Sequence, residues 1–158
     1  MDIRRAGADD AAAIADVLYA AFAEYQAIYT PGGFAATTPP ADRIRERLPE
    51  GPVWVAVENE AIVGTVAAVH KGEGMYVRSM AILPTARGQG IGALLLSEIE
   101  HAAREAGAHY LYLSTTPFLT RAIRLYERWG FERSADGPTD LFGTPIFKMI
   151  KPLAPKIG

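Results

Sequence analysis

The 158-residue sequence predicts an α/β fold in three layers, with helices on both faces of a mixed sheet of about seven strands. Three observations carry this. Two β-branched runs, 53–57 and 62–70, flank Asn59-Glu60 and read as an antiparallel hairpin. An apolar run over 76–83 leads through a glycine-rich stretch into an amphipathic helical pattern over 91–106. An alternating run over 108–115, with Tyr110 and Tyr112 set against Leu111 and Leu113, follows directly. Strand, helix, strand in that order makes a parallel, right-handed crossover, so the fourth and fifth strands form the centre of the sheet.

Composition sets the class. Hydrophobic residues make up 49% and charged residues 22%, ordinary values for a folded chain and unlike those of a disordered one. The length suits one domain spanning 1–158, with a core that needs no staples. With no cysteine, disulfides, a thiolate nucleophile and Cys-based zinc sites are excluded. A formal charge of -2 does not suggest a nucleic-acid partner. No apolar run approaches the roughly 20 residues of a membrane span, and residues 1–5 lack a signal-peptide core, so the expected location is cytoplasmic, with no membrane partner.

In chain order, residues 3–6 read as a short strand. Gly7 caps an alanine-rich helix whose apolar residues are Ile14, Val17, Leu18 and Phe22, with Asp9 and Asp10 at the positive end of its dipole. Residues 25–40, rich in Pro, Gly and Thr around Tyr25, Tyr29 and Phe34, read as a loop, and 41–48 as a short charged helix. The hairpin, the 76–83 strand, the long helix and the 108–115 strand follow. A helix over 119–129 ends at Gly130, and 131–134 and 144–150 read as the last strands, joined by a turn through Asp136 and Gly143. Residues 152–158 read as a frayed tail.

The stretch from Met80 to Ala93 holds the chemistry. Pro84 ends a strand, and Gly88, Gly90 and Gly92 fall where the next helix begins. Amides at a helix start lack intrahelical partners and sit at a positive dipole end, which suits a diphosphate. The glycines alone describe a plain helix-capping turn equally well. Neither common phosphate motif fits: Ala93-Leu94 stand where a P-loop has Lys-Ser or Lys-Thr, and Ala93 and Leu95 where a dinucleotide fingerprint needs glycine.

What remains, Arg-x-x-Gly-x-Gly at Arg87, Gly90 and Gly92, closely resembles the coenzyme A signature of the GNAT superfamily of N-acetyltransferases. Ala122-Ile123-Arg124-Leu125-Tyr126-Glu127-Arg128-Trp129-Gly130-Phe131 resembles a second motif of that family, and the two occur in the family's order. The likeness covers nearly the whole chain and is weakest over 25–49. It implies a GNAT-like sheet splayed between the fourth and fifth strands, with a coenzyme A thioester in the cleft. The pantetheine would pair with backbone of Met80, Ala81 and Ile82, and the pyrophosphate would rest on amides of Gly88, Gln89, Gly90, Ile91, Gly92 and Ala93, with charge from Arg87. Tyr126 would be the general acid for the departing thiolate; the pattern alone also fits a half-buried helix aromatic.

The chain departs from the family at Leu119, where many members have asparagine, and at Ser114, where some have a glutamate base. Glu24, Glu58, Glu60 and Glu73 read as solvated, and His70, His101 and His109 lack ligand spacing, so no metal is expected. The implied activity is transfer of acetyl from acetyl-CoA to a primary amine by direct attack. The expected acceptor is a small, amino-acid-like molecule entering between 25–40 and 136–143. Tyr25, Tyr29, Phe34 and Phe142 would contact it, beside Glu24, Asp136 and Asp140. A silent coenzyme A sensor and a protein N-terminal or lysine acetyltransferase are the alternatives, with a homodimer left open.

Overall fold

The computed structural model describes residues 1–154. β1 (Asp2–Arg5), β2 (Val53–Glu58), β3 (Ala61–Lys71) and β4 (Gly74–Ile82) form an antiparallel succession. Asn59 and Glu60 between β2 and β3 both take left-handed backbone, φ 50° and 65°, the twist that a two-residue hairpin turn requires. β4 then pairs in parallel with β5 (Tyr110–Thr115), and α4 (Ile91–Glu105) is the crossover between them. β6 (Glu132–Arg133), β7 (Thr139–Leu141) and β8 (Thr144–Pro152) complete an eight-stranded sheet in the order β1-β2-β3-β4-β5-β8-β6, with β7 paired to β8 off that path. The count exceeds the expected seven because β7, Thr-Asp-Leu, lies in what reads as a turn and is too short to show a period of two.

Alternation along β2 separates two cores. Val53 and Val55 pack with α1 (Ala11–Phe22) and α3 (Ala41–Arg47), whereas Trp54 and Ala56 join the cluster containing α4 and α5 (Thr120–Trp129). α1 and α3 therefore cover one face of the sheet, and α4 and α5 the other. On α4, Ile91, Leu95, Leu96 and Ile99 are buried, at roughly 1.5–3 kcal/mol each. α1 begins at Ala11, after a 3-10 turn over Ala8–Asp10, later than the sequence suggests. Asp10 accepts the Gly7 N–H at 2.8 Å and two guanidinium bonds from Arg4 at 2.9 Å, tying β1 to the helix start.

Residues 25–40 are not the expected loop. Ala23–Tyr25 form a 3-10 turn, and α2 (Pro31–Thr37) begins with Pro at its first position and Thr30 as its cap, whose hydroxyl accepts the Gly33 N–H at 3.0 Å. The glycines that read as a turn serve close approach instead, since a Cβ on Gly33 would come within 2.3 Å of Thr144 Oγ1. β8 runs on to Pro152, and buried Leu153 donates its N–H to the His109 carbonyl at 2.9 Å, so the tail starts later than expected; residues 155–158 lie outside the described residues.

Candidate functional site

The parallel pairing of β4 and β5 stops at Tyr76 opposite Tyr112. Beyond it, β5 continues along β8 as far as Thr115, while β4 stays with β3. Between the pairs Ala67–Arg78 and Thr65–Ala81, Ser79 and Met80 together oppose the one residue Val66, a bulge with Ser79 in left-handed backbone at φ 55°. A bulge bends its strand and increases its twist, and this one falls where β4 leaves β5. A cavity of about 960 Å³ occupies the resulting gap.

Met80, Ala81 and Ile82 line the cavity along the edge of β4 that no strand covers, and Gly88, Gly90, Ile91, Gly92 and Ala93 line it at the start of α4; Gln89 does not. Among the described residues, the amides of 88–93 donate to nothing in the protein, and the first bond of α4 is Leu94 N–H to the Gly90 carbonyl at 3.3 Å. Gly88 and Gly90 have φ of 83° and 76° with open space beside them, so backbone conformation selects glycine there. Gly92 has a different reason: a Cβ on it would lie 2.5 Å from Leu125 Cδ2 and 3.2 Å from Met80 Cε, so glycine lets α4 pack closely against α5 and β4.

Arg87 also lines the cavity, but its charge is already matched: it pairs with Glu24 at 2.6 Å and reaches the Ala21 carbonyl at 3.4 Å. The pairing itself was not expected from the sequence: it engages Glu24, whose side chain stays 44% exposed, and leaves Arg87 on the cavity wall. Tyr126 lies on the wall, 7% exposed and edge-to-face with Phe131. Burial, with Tyr29 nearby, pushes its phenol well above the usual value, so it keeps its proton across the working pH range. Ser114 is an exposed wall residue on β5.

The acceptor side differs from expectation. Tyr25 and Tyr29 line the cavity, with Phe118 packed against both rings. Phe34 is buried behind Tyr29, and Phe142 points away from the cavity, 71% exposed at the β7–β8 turn. Asp136 and Asp140 are off the wall too, and Asp140 caps the Gly143 N–H at 2.7 Å. Among the described residues no carboxylate lines the cavity, whereas six arginines do: Arg47, Arg78, Arg87, Arg121, Arg124 and Arg128. The α5 trio is legible as a helical repeat at 121, 124 and 128, a signal the sequence reading passed over. Arg47 and Arg78 carried no such signal, since they come from separate elements. α2 and the β7–β8 turn are joined: Thr144 Oγ1 accepts the Thr30 N–H at 2.9 Å, and Thr30 Oγ1 donates to the Phe142 carbonyl at 2.7 Å.

Among the described residues, no group of three or more His, Asp or Glu side chains is arranged to hold a metal, and no helix is long and apolar enough to cross a membrane.

Residues 18–131 match the model of the acetyltransferase (GNAT) family. The chain is 34% identical over 136 residues to the uncharacterized N-acetyltransferase YjgM of Escherichia coli K12, covering 82% of this chain and 81% of that protein. It is 40% identical over 102 residues to an IAA acetyltransferase of Azospirillum brasilense, covering 63% and 66%. The crystal structure of a PaiA N-acetyltransferase from Thermoplasma acidophilum in complex with coenzyme A shares the fold with a TM-score of 0.81, at 17% identity over 96% of this chain and 98% of that one. A family match running from α1 through the glycine-rich loop to the end of α5, on a sheet that opens between β4 and β5, makes this chain a member of the GNAT family of acetyltransferases.

Proposed function

We propose that the protein transfers acetyl from acetyl-CoA to a small primary amine by direct attack. One observation carries the reading: a run of unpartnered amides, 88–93, faces a cleft opened by the divergence of β4 and β5. The residues fit a coenzyme A thioester. The amides and the positive end of α4 suit its pyrophosphate, Arg121, Arg124 and Arg128 add positive charge on the α5 side, and the uncovered edge of β4 at Met80, Ala81 and Ile82 suits the amides of the pantetheine. That thioester supplies the activated carbonyl.

The chain's own part in the chemistry is proton placement. As the amine nitrogen bonds to the carbonyl carbon and the carbon–sulfur bond breaks, the Tyr126 hydroxyl gives its proton to the departing sulfur. Burial keeps the phenol's proton in place and also weakens it as an acid, so the proton moves only as negative charge builds on the sulfur. With no carboxylate on the wall among the described residues, the proton from the amine passes to water, which also restores the tyrosine. The acceptor must therefore arrive neutral without help from a side-chain base. At pH 7 that costs roughly 4.6 kcal/mol for a lysine-like amine and about 1 kcal/mol for an α-amine next to an amide, with the α-amine of a free amino acid between the two. An amino-acid-like acceptor is favoured over a protein lysine.

The test is acetyl-CoA-dependent thiol release with matched α-amine and ε-amine acceptors, from pH 6.5 to 9.5. The α-amine should lead in kcat/KM most strongly at low pH, the gap narrowing as the pH rises. Thiol release with no amine would overturn the reading, and a lysine preference throughout would overturn the acceptor class alone.

A further inference from the structure

The face of the cleft covered by α1 and α3 carries two arginines to which the reading above gives no task. Arg78, on β4, sits opposite Ala67, a residue of the α1–α3 core, so its side chain leaves the sheet on that face, away from α4 and α5. Arg47 ends α3 on the same face, and both line the cavity. The Nε of each is buried without a hydrogen-bond partner. The acids around them are committed: Glu46 to Arg43 at 3.2 Å, Asp42 to Arg45 at 2.8 Å, and Glu50 to Arg78 at 2.5 Å. Among the described residues Arg47 makes no ion pair. Burial first, then the neighbouring Arg78 and Arg43, disfavours its charge.

Of the two guanidinium groups only Arg78 has a carboxylate partner, which leaves a surplus positive charge on the wall of a cavity that no acid among the described residues lines. A part-buried cation is costly unless an anion reaches it. Guanidinium is planar and presents paired donors, so its best partner is a forked oxyanion. Tyr76, stacked on Tyr112 at 5.1 Å, and Tyr25 flank the same cavity and offer apolar surface for the body of such a molecule.

We propose that the amine acceptor carries an anionic group, a carboxylate or a phosphonate, and that Arg47 and Arg78 hold it on the α1–α3 face of the cleft. The proposal rests on the acetyl-transfer reading for its ligand, and it reverses the expected electrostatics: the acceptor is recognised by its acid end, while its amine meets no fixed charge that would keep it protonated.

The experiment pairs each probe with a neutral counterpart: free amino acids with their amides, and short aminoalkylphosphonates with the alkylamines of equal length. Binding to the coenzyme A-loaded protein is read by calorimetry, and transfer by thiol release. Amides have the less basic amine, so amine chemistry alone would favour them. Acidic members should nonetheless bind more tightly and show kcat/KM higher on the order of 10- to 100-fold. The carboxylate and phosphonate arms identify the anion. Arg47→Gln should collapse the acid-to-neutral ratio toward one through KM, with acetyl-CoA binding retained, and Arg47→Lys, which keeps charge but not the fork, should fall between. Equal use of acidic and neutral amines by the wild type would overturn the proposal, as would loss of acetyl-CoA affinity in a folded Arg47→Gln. Tight binding of an acidic amine without its acetylation would uphold the anion site and overturn acetyl transfer instead.

Discussion

Tyr126 and Arg87 show how far a side chain's role depends on its neighbours. Tyr126 is buried on the cavity wall and keeps its proton, which suits a donor to a sulfur gaining negative charge. Tyr126→Phe removes one hydroxyl and leaves the ring packed on Phe131, so acetyl-CoA binding should be retained while kcat falls by roughly 10²- to 10⁴-fold, about 3 to 5 kcal/mol of barrier. Single-turnover acetyl transfer measures this, and an unchanged chemical step would return Tyr126 to a packing role. Tyr126 is legible in sequence because a helical motif of fixed spacing carries it. The pairing of Arg87 with Glu24 is not, since it joins residues 63 positions apart, and no local pattern encodes it. The α5 arginine trio is legible as a repeat, but its meeting with Arg47 and Arg78 is not, because they belong to three elements that only the fold brings to one cavity.

The elements that build the cleft were legible wherever periodicity is long. The β2–β3 hairpin, α4 and its crossover, and α5 follow from patterns of ten residues or more, and they set the centre of the sheet. Short elements escape that logic, and α2 and β7 form because their neighbours fit them: Thr30 caps α2, Gly33 admits Thr144, and β7 has β8 to pair with. The bulge at Ser79 is likewise invisible in sequence, since serine has no special preference for left-handed backbone. The start of α4 combines the two kinds of constraint. Gly90 is left-handed with open space beside it, so Gly90→Asp adds strain of roughly 1–2 kcal/mol and sets a carboxylate against the amide run. The variant should fold and lose acetyl-CoA binding; calorimetric titration matching wild type would remove the pyrophosphate from this loop.

At the scale of the whole molecule, the two halves of the cleft are assembled from very different spans of chain. β4, the glycine loop, α4, β5 and α5 are consecutive, so the wall they form closes through short connections. The opposite wall depends on the Thr30–Thr144 bonds, which join α2 to the strand that comes last in the described chain. Loops that long cost more entropy to close and delay the contacts that reward them. The protein should therefore mature in two stages. During refolding from denaturant in the presence of acetyl-CoA, capacity to bind the thioester should return before capacity to turn it over, with Thr30→Val lengthening the lag and leaving the first phase unaltered. Simultaneous recovery of both signals would mean that the far hydroxyl clasp forms as early as the local crossover, and that a nascent chain has no interval in which it can hold the donor but not yet an acceptor.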